Sequence, residues 1–234
     1  MCGRYVSPDD AAIERHFHFG RRDQQVFVRR FNVAPSTTVP IIVTGQDGRL
    51  ELVAARWGFV PHWWKEAKPP NHTFLARSEE ASSKPMWRAA LRRTRCLVPV
   101  EGWYEWKEME VVDRETGEVL SRKQPFFIFA TQSSLVTIAG LYSVVENEAG
   151  DRLMSCAVLS KAASGPLAAV HHRMPVVLSA ESSGTWLSPD LDHAMIESSI
   201  SNSETEFSYR AVSTRVNSTR NDDERLVEAP LNAL

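Results

Sequence analysis

TRCLVPVEGWYEWKEMEVV (residues 94–112) and EVLSRKQPFFIFA (residues 118–130) are rich in valine and aromatic residues. Such side chains pack well on a pleated surface, so each stretch predicts a β-strand. The sequence Asp-Arg-Glu-Thr-Gly, at 113–117, lies between them and is typical of a turn. The two strands are therefore expected to form a long hairpin.

Strand patterns continue on both sides of this hairpin. The stretch VPIIVTGQDGRLELVAARWGFV, at 39–60, predicts a second hairpin, because its Gln-Asp-Gly sequence suits a tight turn. Runs rich in Val, Ile, Leu and Met predict further strands at 134–145, 152–160 and 174–179.

Helical signals are fewer. The stretch SPDDAAIERHF, at 7–17, begins with Ser7 as a candidate cap and Pro8 in the first turn, and its aspartates favour the positive end of a helix. Short helices are predicted at 183–187 and 190–200.

The order of these elements predicts the fold class. Helices do not alternate regularly with strands, which argues against a doubly wound sheet. We expect one α+β domain over residues 1–234, with a curved, barrel-like mixed β core and peripheral helices. Residues 221–234 are expected to form a mobile tail.

Composition excludes several classes of protein. The net charge is −2, so any site for a polyanion must be a local patch. The cysteines are Cys2, Cys96 and Cys156, and an odd number without a Cys-x-x-Cys spacing argues against a disulfide framework or a cysteine-rich zinc site. Cys96 and Cys156 stand among apolar residues, as small buried hydrophobes do. No apolar run has the length of a membrane span, and no signal region begins the chain. We expect a cytoplasmic protein with no metal and no cofactor.

Cys2 is the first candidate for chemistry. If Met1 is removed, residue 2 carries a free α-amine beside a thiol. A neutral amine attacks an aldehyde to form a Schiff base, and the thiol can then close on the same carbon as a thiazolidine ring. No interior cysteine has a free amine. The alternative is that the position of Cys2 is incidental.

Glu105 and His171 are the other candidate catalytic residues. Aromatic neighbours in GWYEWK suggest that Glu105 is partly desolvated, which would raise its pKa toward the range useful for proton transfer. His171 can act as an acid or base, whereas adjacent His172 would point to the opposite face if the segment were a strand. The alternatives are a glutamate facing water and structural histidines.

Several arginines and two tryptophans are candidates for binding nucleic acid. Arg4, Arg77 and Arg173 offer phosphate contacts, as does the run from Arg88 to Arg95, which also fits a solvated helix face. Trp63 and Trp64 can stack on unpaired bases, although close tryptophans are also common in packed loops.

These motifs together identify a family. The chain resembles the SOS response-associated peptidase (SRAP) family, whose members shield abasic sites in single-stranded DNA. The resemblance runs nearly end to end, through MCGRY, FNVAPST, WGFVPHWW, ARSEE, VPVEGWYEWK, QPFFIFA, HHRMPVVL and VSTRVN.

The resemblance implies a role for each candidate. Cys2 would be the covalent nucleophile, Glu105 would transfer protons as the Schiff base forms, and His171 would assist opening of the sugar ring and closure of the adduct. The residues expected to bind DNA are Arg4, Asn32, Trp63, Trp64, Arg77 and Arg173. Asn32 would shape the pocket, and the tryptophan pair would pack against the DNA. The expected partner is single-stranded DNA with abasic sites, bound by a monomer. The family is also credited with a peptidase activity that removes its own first residue.

Two positions depart from the family pattern. Leu75 stands in TFLARSEE where the family usually has Asn, and His172 stands where Asp or Asn is more common. Leucine offers no hydrogen bond, so the departure concerns the rate or stability of a cross-link.

Two other functions fit parts of the sequence. Cys2, Glu105 and His171 would also serve an amidohydrolase with an N-terminal nucleophile. A non-catalytic module that binds single-stranded DNA would leave Cys2 unused. The tryptophan pair and the separated arginines favour DNA over a small amide.

Overall fold

The computed structural model describes residues 3–22, 25–66, 68–112, 117–146, 150–201 and 206–230. The strands are β1 Tyr5–Ser7, β2 Arg21–Arg22, β3 Arg30–Val33, β4 Thr38–Thr44, β5 Leu50–Trp57, β6 Leu75–Arg77, β7 Arg95–Val100, β8 Gly102–Val112, β9 Val119–Ala130, β10 Val136–Glu146, β11 Arg152–Ala162, β12 Arg173–Pro175, β13 Val177–Leu178 and β14 Phe207–Ala211. The helices are α1 Asp10–Glu14, α2 Ser78–Ala81, α3 Arg88–Arg93, α4 Ala180–Leu187 and α5 His193–Ser201. Short 3-10 helices cover Gly165–Ala169, Thr214–Asn217 and Glu224–Leu226.

A closed barrel forms the core. The strands β11, β10, β7, β4 and β5 follow one another with antiparallel pairing, and β5 then pairs in parallel with β11 to close the ring. Apolar side chains fill the barrel, and closure removes the exposed edges that an open sheet would present. The expected α+β fold with a barrel-like mixed core is confirmed.

A second sheet has the strand order β14-β9-β8-β1-β3. The predicted hairpin is confirmed, because β8 and β9 pair from Trp103 opposite Ile128 to Val112 opposite Val119. The single strand expected over 94–112 is wrong, because β7 belongs to the barrel and β8 to the second sheet. Gly102 permits the crossing, since a Cβ there would lie 2.4 Å from the carbonyl oxygen of Ile128.

The helix predicted near the N-terminus is present, but its cap differs. Asp9, not Ser7, is the N-cap, and its carboxylate accepts from the main-chain N–H of Ala12 over 2.7 Å. Ser7 is instead the last residue of β1. Both short helices predicted further along the chain form, as α4 and α5.

The described part of the expected C-terminal tail packs against the body. Asp222 accepts from the main-chain N–H groups of Phe31 and Asn32 on β3, and Leu226 is fully buried. The expectation of a mobile tail is therefore corrected for 221–230, because edge strand β3 provides donors that Asp222 satisfies. Residues 231–234 lie outside the described part of the chain.

The interior cysteines are part of the core. Cys96 and Cys156 are both buried and unoxidised. Burial disfavours the thiolate and raises the pKa of Cys156 to about 12, so its thiol stays protonated at neutral pH. Among the helices that the structure describes, none is long and apolar enough to cross a membrane.

Candidate functional site

Cys2 lies outside the described residues, but the segment that follows it pairs with β8. β1 runs antiparallel to β8, and the main-chain N–H of Tyr104 donates to the carbonyl oxygen of Arg4 over 2.9 Å. Continuing this register by one residue sets Gly3 opposite Glu105. The residue next to Cys2 is thus directed toward Glu105.

Glu105 is a buried carboxyl group. It is only 1% exposed, and it shares a face of β8 with fully buried Trp103. Phe126 lies directly opposite on β9. Burial disfavours the charged form and raises the pKa of Glu105 to about 7, which confirms the predicted desolvation. Both protonation states are populated at neutral pH, so this group can donate and accept protons.

His171 is held by the main chain of Arg173. Its Nδ1 accepts from the Arg173 N–H over 2.9 Å, whereas the Arg173 carbonyl oxygen is farther away, at 3.2 Å. An Nδ1 that accepts a hydrogen bond assigns the proton of the neutral ring to Nε2. Partial burial lowers the pKa of His171 and favours this neutral form.

The neighbouring histidines do not point apart. The rings of His171 and His172 stack, with centroids 4.3 Å apart and an angle of 28° between the planes. The expectation of opposite faces is wrong, because both residues precede β12 in a turn after the 3-10 helix Gly165–Ala169.

Arg173 is paired with a carboxylate. Its Nη1 and Nη2 donate to the two carboxylate oxygens of Glu79 over 2.7 and 2.9 Å. Its Nη2 also donates to the carbonyl oxygen of Ser160 over 2.6 Å. The guanidinium lowers the pKa of Glu79 to about 2, so the carboxylate stays charged. A phosphate that binds Arg173 must compete with Glu79.

Arg77 offers a more exposed cation. Its side chain is 54% exposed, and its contact with Glu80, at 3.5 Å, is longer than that of Arg173 with Glu79. Arg77 lies opposite Ser160 in the parallel pairing of β6 with β11, so it stands near Arg173. Leu75, on the same strand, is half-buried and packs against the barrel core.

Arg4 and Asn32 form a structural junction. Arg4 Nη1 donates to the Asn32 side-chain oxygen over 2.9 Å and to the carbonyl oxygen of Val216 over 2.8 Å. The Asn32 amide nitrogen donates to the carbonyl oxygens of Ser218 and Asn221. Asn32 is 1% exposed, so it orders this junction instead of presenting its amide to solvent.

The tryptophan pair lies in the loop between β5 and β6. The rings of Trp63 and Trp64 are tilted by 55°, with centroids 6.1 Å apart. Trp63 is 44% exposed, and Trp64 Nε1 donates to the carbonyl oxygen of Lys68 over 2.9 Å. Trp64 is thereby held in place, while Trp63 has a large apolar surface in solvent.

The structure brings most of these residues around two hydrophobic clusters that meet at β8. The barrel cluster contains Trp103, on the face of Glu105, and Val170, which precedes His171. The second cluster contains Tyr104 and Val216, on the face of the Arg4 junction. No described contact joins the tryptophan pair to either group.

Sequence reasoning missed two partners of Arg173. Glu79 stands within ARSEE, so its position was visible but its role was not. Ser160 lies in an apolar strand and gives no sequence signal of its contact. The largest described cleft, of about 1030 Å³, lies elsewhere, between α4 and the turn after β9, and none of the predicted site residues lines it.

Comparison with known proteins identifies the family. The family model for "SOS response associated peptidase (SRAP)" matches residues 1–219. The chain belongs to the SRAP family. Its members by name include "Abasic site processing protein YoqW" of Bacillus subtilis, which is 31% identical over 98% of this chain and 100% of its own length. "Abasic site processing protein YedK" of Escherichia coli is 30% identical over 97% of this chain and 99% of its own length.

The similarity extends to vertebrate relatives and to solved structures. "Abasic site processing protein HMCES" of Xenopus tropicalis is 27% identical over 95% of this chain and 76% of its own length. A protein from Bacteroides thetaiotaomicron has the same fold, with a TM-score of 0.78 at 20% identity over 99% of this chain and all of its own. A protein from Bordetella bronchiseptica matches 91% of this chain and all of its own, with a TM-score of 0.72 at 22% identity.

Proposed function

We propose that this protein processes abasic sites in single-stranded DNA by forming a covalent cross-link through Cys2. The observation that carries the proposal is the register of β1 with β8, which directs the residue after Cys2 toward the buried carboxyl of Glu105. The names of its relatives in the SRAP family support the same substrate.

The reaction requires a chain that begins at Cys2. The α-amine attacks the open-chain aldehyde of the abasic sugar, and the resulting carbinolamine loses water to give an imine. The thiol then adds to the imine carbon, and its proton passes to the nitrogen. The product is a thiazolidine ring, and the net change is the loss of one water molecule.

Glu105 is suited to the proton transfers of this sequence. Its protonated form can donate to the departing hydroxyl group, and the carboxylate so formed can take up a proton released in the next step. A pKa of about 7 keeps both forms populated, which an exposed glutamate would not do.

His171 is suited to act as a neutral hydrogen-bond donor. Because Nδ1 accepts from the Arg173 N–H, the ring presents Nε2–H. Such a group can donate to the ring oxygen of the sugar as the aldehyde opens, without adding a second positive charge beside the phosphates.

The DNA would be held by cations and aromatic surface. Arg77 and Trp63 are the most exposed of the candidate contacts, so we assign them a phosphate and an unstacked base, respectively. Arg4 and Arg173 contribute charge from partly buried positions. We include in the proposal a thiol-dependent removal of Met1 that exposes Cys2.

The experiment is covalent trapping on an oligonucleotide with one abasic site, analysed under denaturing conditions. Wild type should form a heat-stable adduct. Cys2→Ala should not form one without reductant, because it retains the amine but lacks the thiol, so its imine is reversible. Non-covalent binding should persist in the variant. A heat-stable adduct of Cys2→Ala would contradict the thiazolidine.

A further inference from the structure

The β8–β9 hairpin continues beyond the candidate site as a two-stranded arm. Residues alternate between the two faces of a strand, so Glu105, Lys107 and Met109 share one face of β8. On β9, Gln124 lies opposite Lys107 and Arg122 lies opposite Met109, which places both on that same face. We call this the Lys107 face.

The Lys107 face emerges from the protein beside Glu105. Trp103 is fully buried, Glu105 is 1% exposed, Lys107 is half-buried and Met109 is 41% exposed. A molecule that reaches Glu105 can therefore continue along this face without leaving the sheet.

Charge is unequal between the two faces of the arm. The Lys107 face carries Lys107 and Arg122, and neither forms an ion pair with any residue that the structure describes. The opposite face carries Glu108 and Glu110 beside Lys123. One face is therefore cationic and the other is mixed, although the whole chain has a net charge of −2.

Apolar side chains lie between the cations. Met109 is an exposed large hydrophobic residue, and Val111 pairs with Leu120 on the same face. Cationic groups that alternate with apolar surface suit a flexible polyanion with exposed bases and sugars, which is single-stranded nucleic acid.

We propose that the Lys107 face binds the DNA strand that flanks the abasic site, with Lys107 and Arg122 on successive parts of the phosphate backbone. The inference rests on the proposed function and extends its interface by about four residues along the arm, roughly 13 Å at the rise of a β-strand. Arg122 can hold a phosphate with two donors, and Lys107 acts as a point charge.

The test compares Lys107→Ala/Arg122→Ala with Lys123→Ala. Lys123 is the matched control, because it follows Arg122 on the same strand and is equally exposed but lies on the opposite face. Non-covalent binding is measured over a range of salt concentrations, on undamaged single-stranded oligonucleotides of increasing length. Surface substitutions of this kind should leave the thermal midpoint nearly unchanged.

We expect the salt dependence of the double variant to be smaller by about 1.4, because each lost contact on a single strand removes about 0.7 from the slope of log K against log salt. The gain in affinity with longer oligonucleotides should also be lost. The Lys123→Ala variant should retain both the slope and the gain.

An unchanged slope and length dependence in the double variant would overturn the inference, as would equal losses in Lys123→Ala. The proposed function is tested separately, by adduct formation of both variants on a short abasic oligonucleotide at saturating protein. The double variant should form that adduct as wild type does. Failure of wild type to form it contradicts the proposed function, whereas the binding measurement still judges the Lys107 face.

Discussion

At Glu105, burial competes with ionisation. The side chain is 1% exposed, and its pKa rises from 4.5 to about 7 because the charged form is desolvated. Between these two values the folded protein holds a proton that the unfolded chain releases, so stability falls as pH rises. The cost is fully present above about pH 7 and amounts to about 3 kcal/mol.

Glu105→Gln removes this penalty. The unfolding free energy of the variant relative to wild type should increase by about 3 kcal/mol between about pH 4.5 and pH 8. Chemical denaturation at both pH values checks the prediction. Curves for wild type and variant that stay parallel across this range would show that Glu105 titrates as an ordinary surface glutamate.

At Arg173, a carboxylate occupies the guanidinium before DNA does. The Glu79 side chain is 51% exposed, so the ion pair contributes less than about 1 kcal/mol to stability. Glu79→Gln should leave the thermal midpoint nearly unchanged. It should steepen the salt dependence of single-stranded DNA binding by about 0.7, because Arg173 gains a phosphate contact.

Glu79→Asp is the control for this prediction, since it keeps the charge. Its salt dependence should stay close to that of wild type. If Glu79→Gln also leaves the salt dependence unchanged, then Arg173 does not bind phosphate and acts only as a support for His171.

Local sequence predicted some residue environments and not others. The aromatic neighbours of Glu105 correctly indicated its desolvation. The pairing of Arg173 with Glu79 joins residues that are 94 positions apart, and no local pattern reports such a contact. Arg95, at the end of a basic run, is buried because its guanidinium donates to carbonyl oxygens at the ends of α3 and α4.

At the scale of elements, the C-terminal segment holds the strand that carries Asn32. Asp222 accepts from two main-chain N–H groups of edge strand β3, and its other oxygen accepts from Arg30 over 3.1 Å. Arg4 donates to Val216 on the same segment. The position of Arg4 therefore depends on the docking of this segment.

Asp222→Ala should lower the unfolding free energy by about 1–3 kcal/mol, because two donors on β3 lose their acceptor. It should also weaken DNA binding through Arg4. Thermal unfolding and binding check both effects. Thr219→Ala, an exposed position in the same segment, serves as the control. Equal midpoints for the two variants would contradict the docking role.

Strands with clear periodicity were predictable, and their partners were not. Both long hairpins follow from the strand and turn composition of 39–60 and 94–130. The parallel pairing of β5 with β11 closes the barrel between segments far apart in the chain, so it is set by packing. The mobile tail was predicted from polar composition, which does not show that Asp222 caps β3.

At the scale of the molecule, the second sheet lies beside a closed barrel and supports the chain that follows Cys2. The central claim is that the amine and thiol of Cys2 combine with one aldehyde. This claim concerns a covalent product, and the mass of that product distinguishes it from an imine, from tight binding and from attachment elsewhere.

The most direct measurement is the intact mass of the protein after mixing with a single-stranded oligonucleotide that contains one abasic site. We predict one product, with the mass of a chain beginning at Cys2 plus the oligonucleotide minus one water, stable without reductant and absent from Cys2→Ala. Only unmodified masses, or the same stable product from Cys2→Ala, would contradict the account.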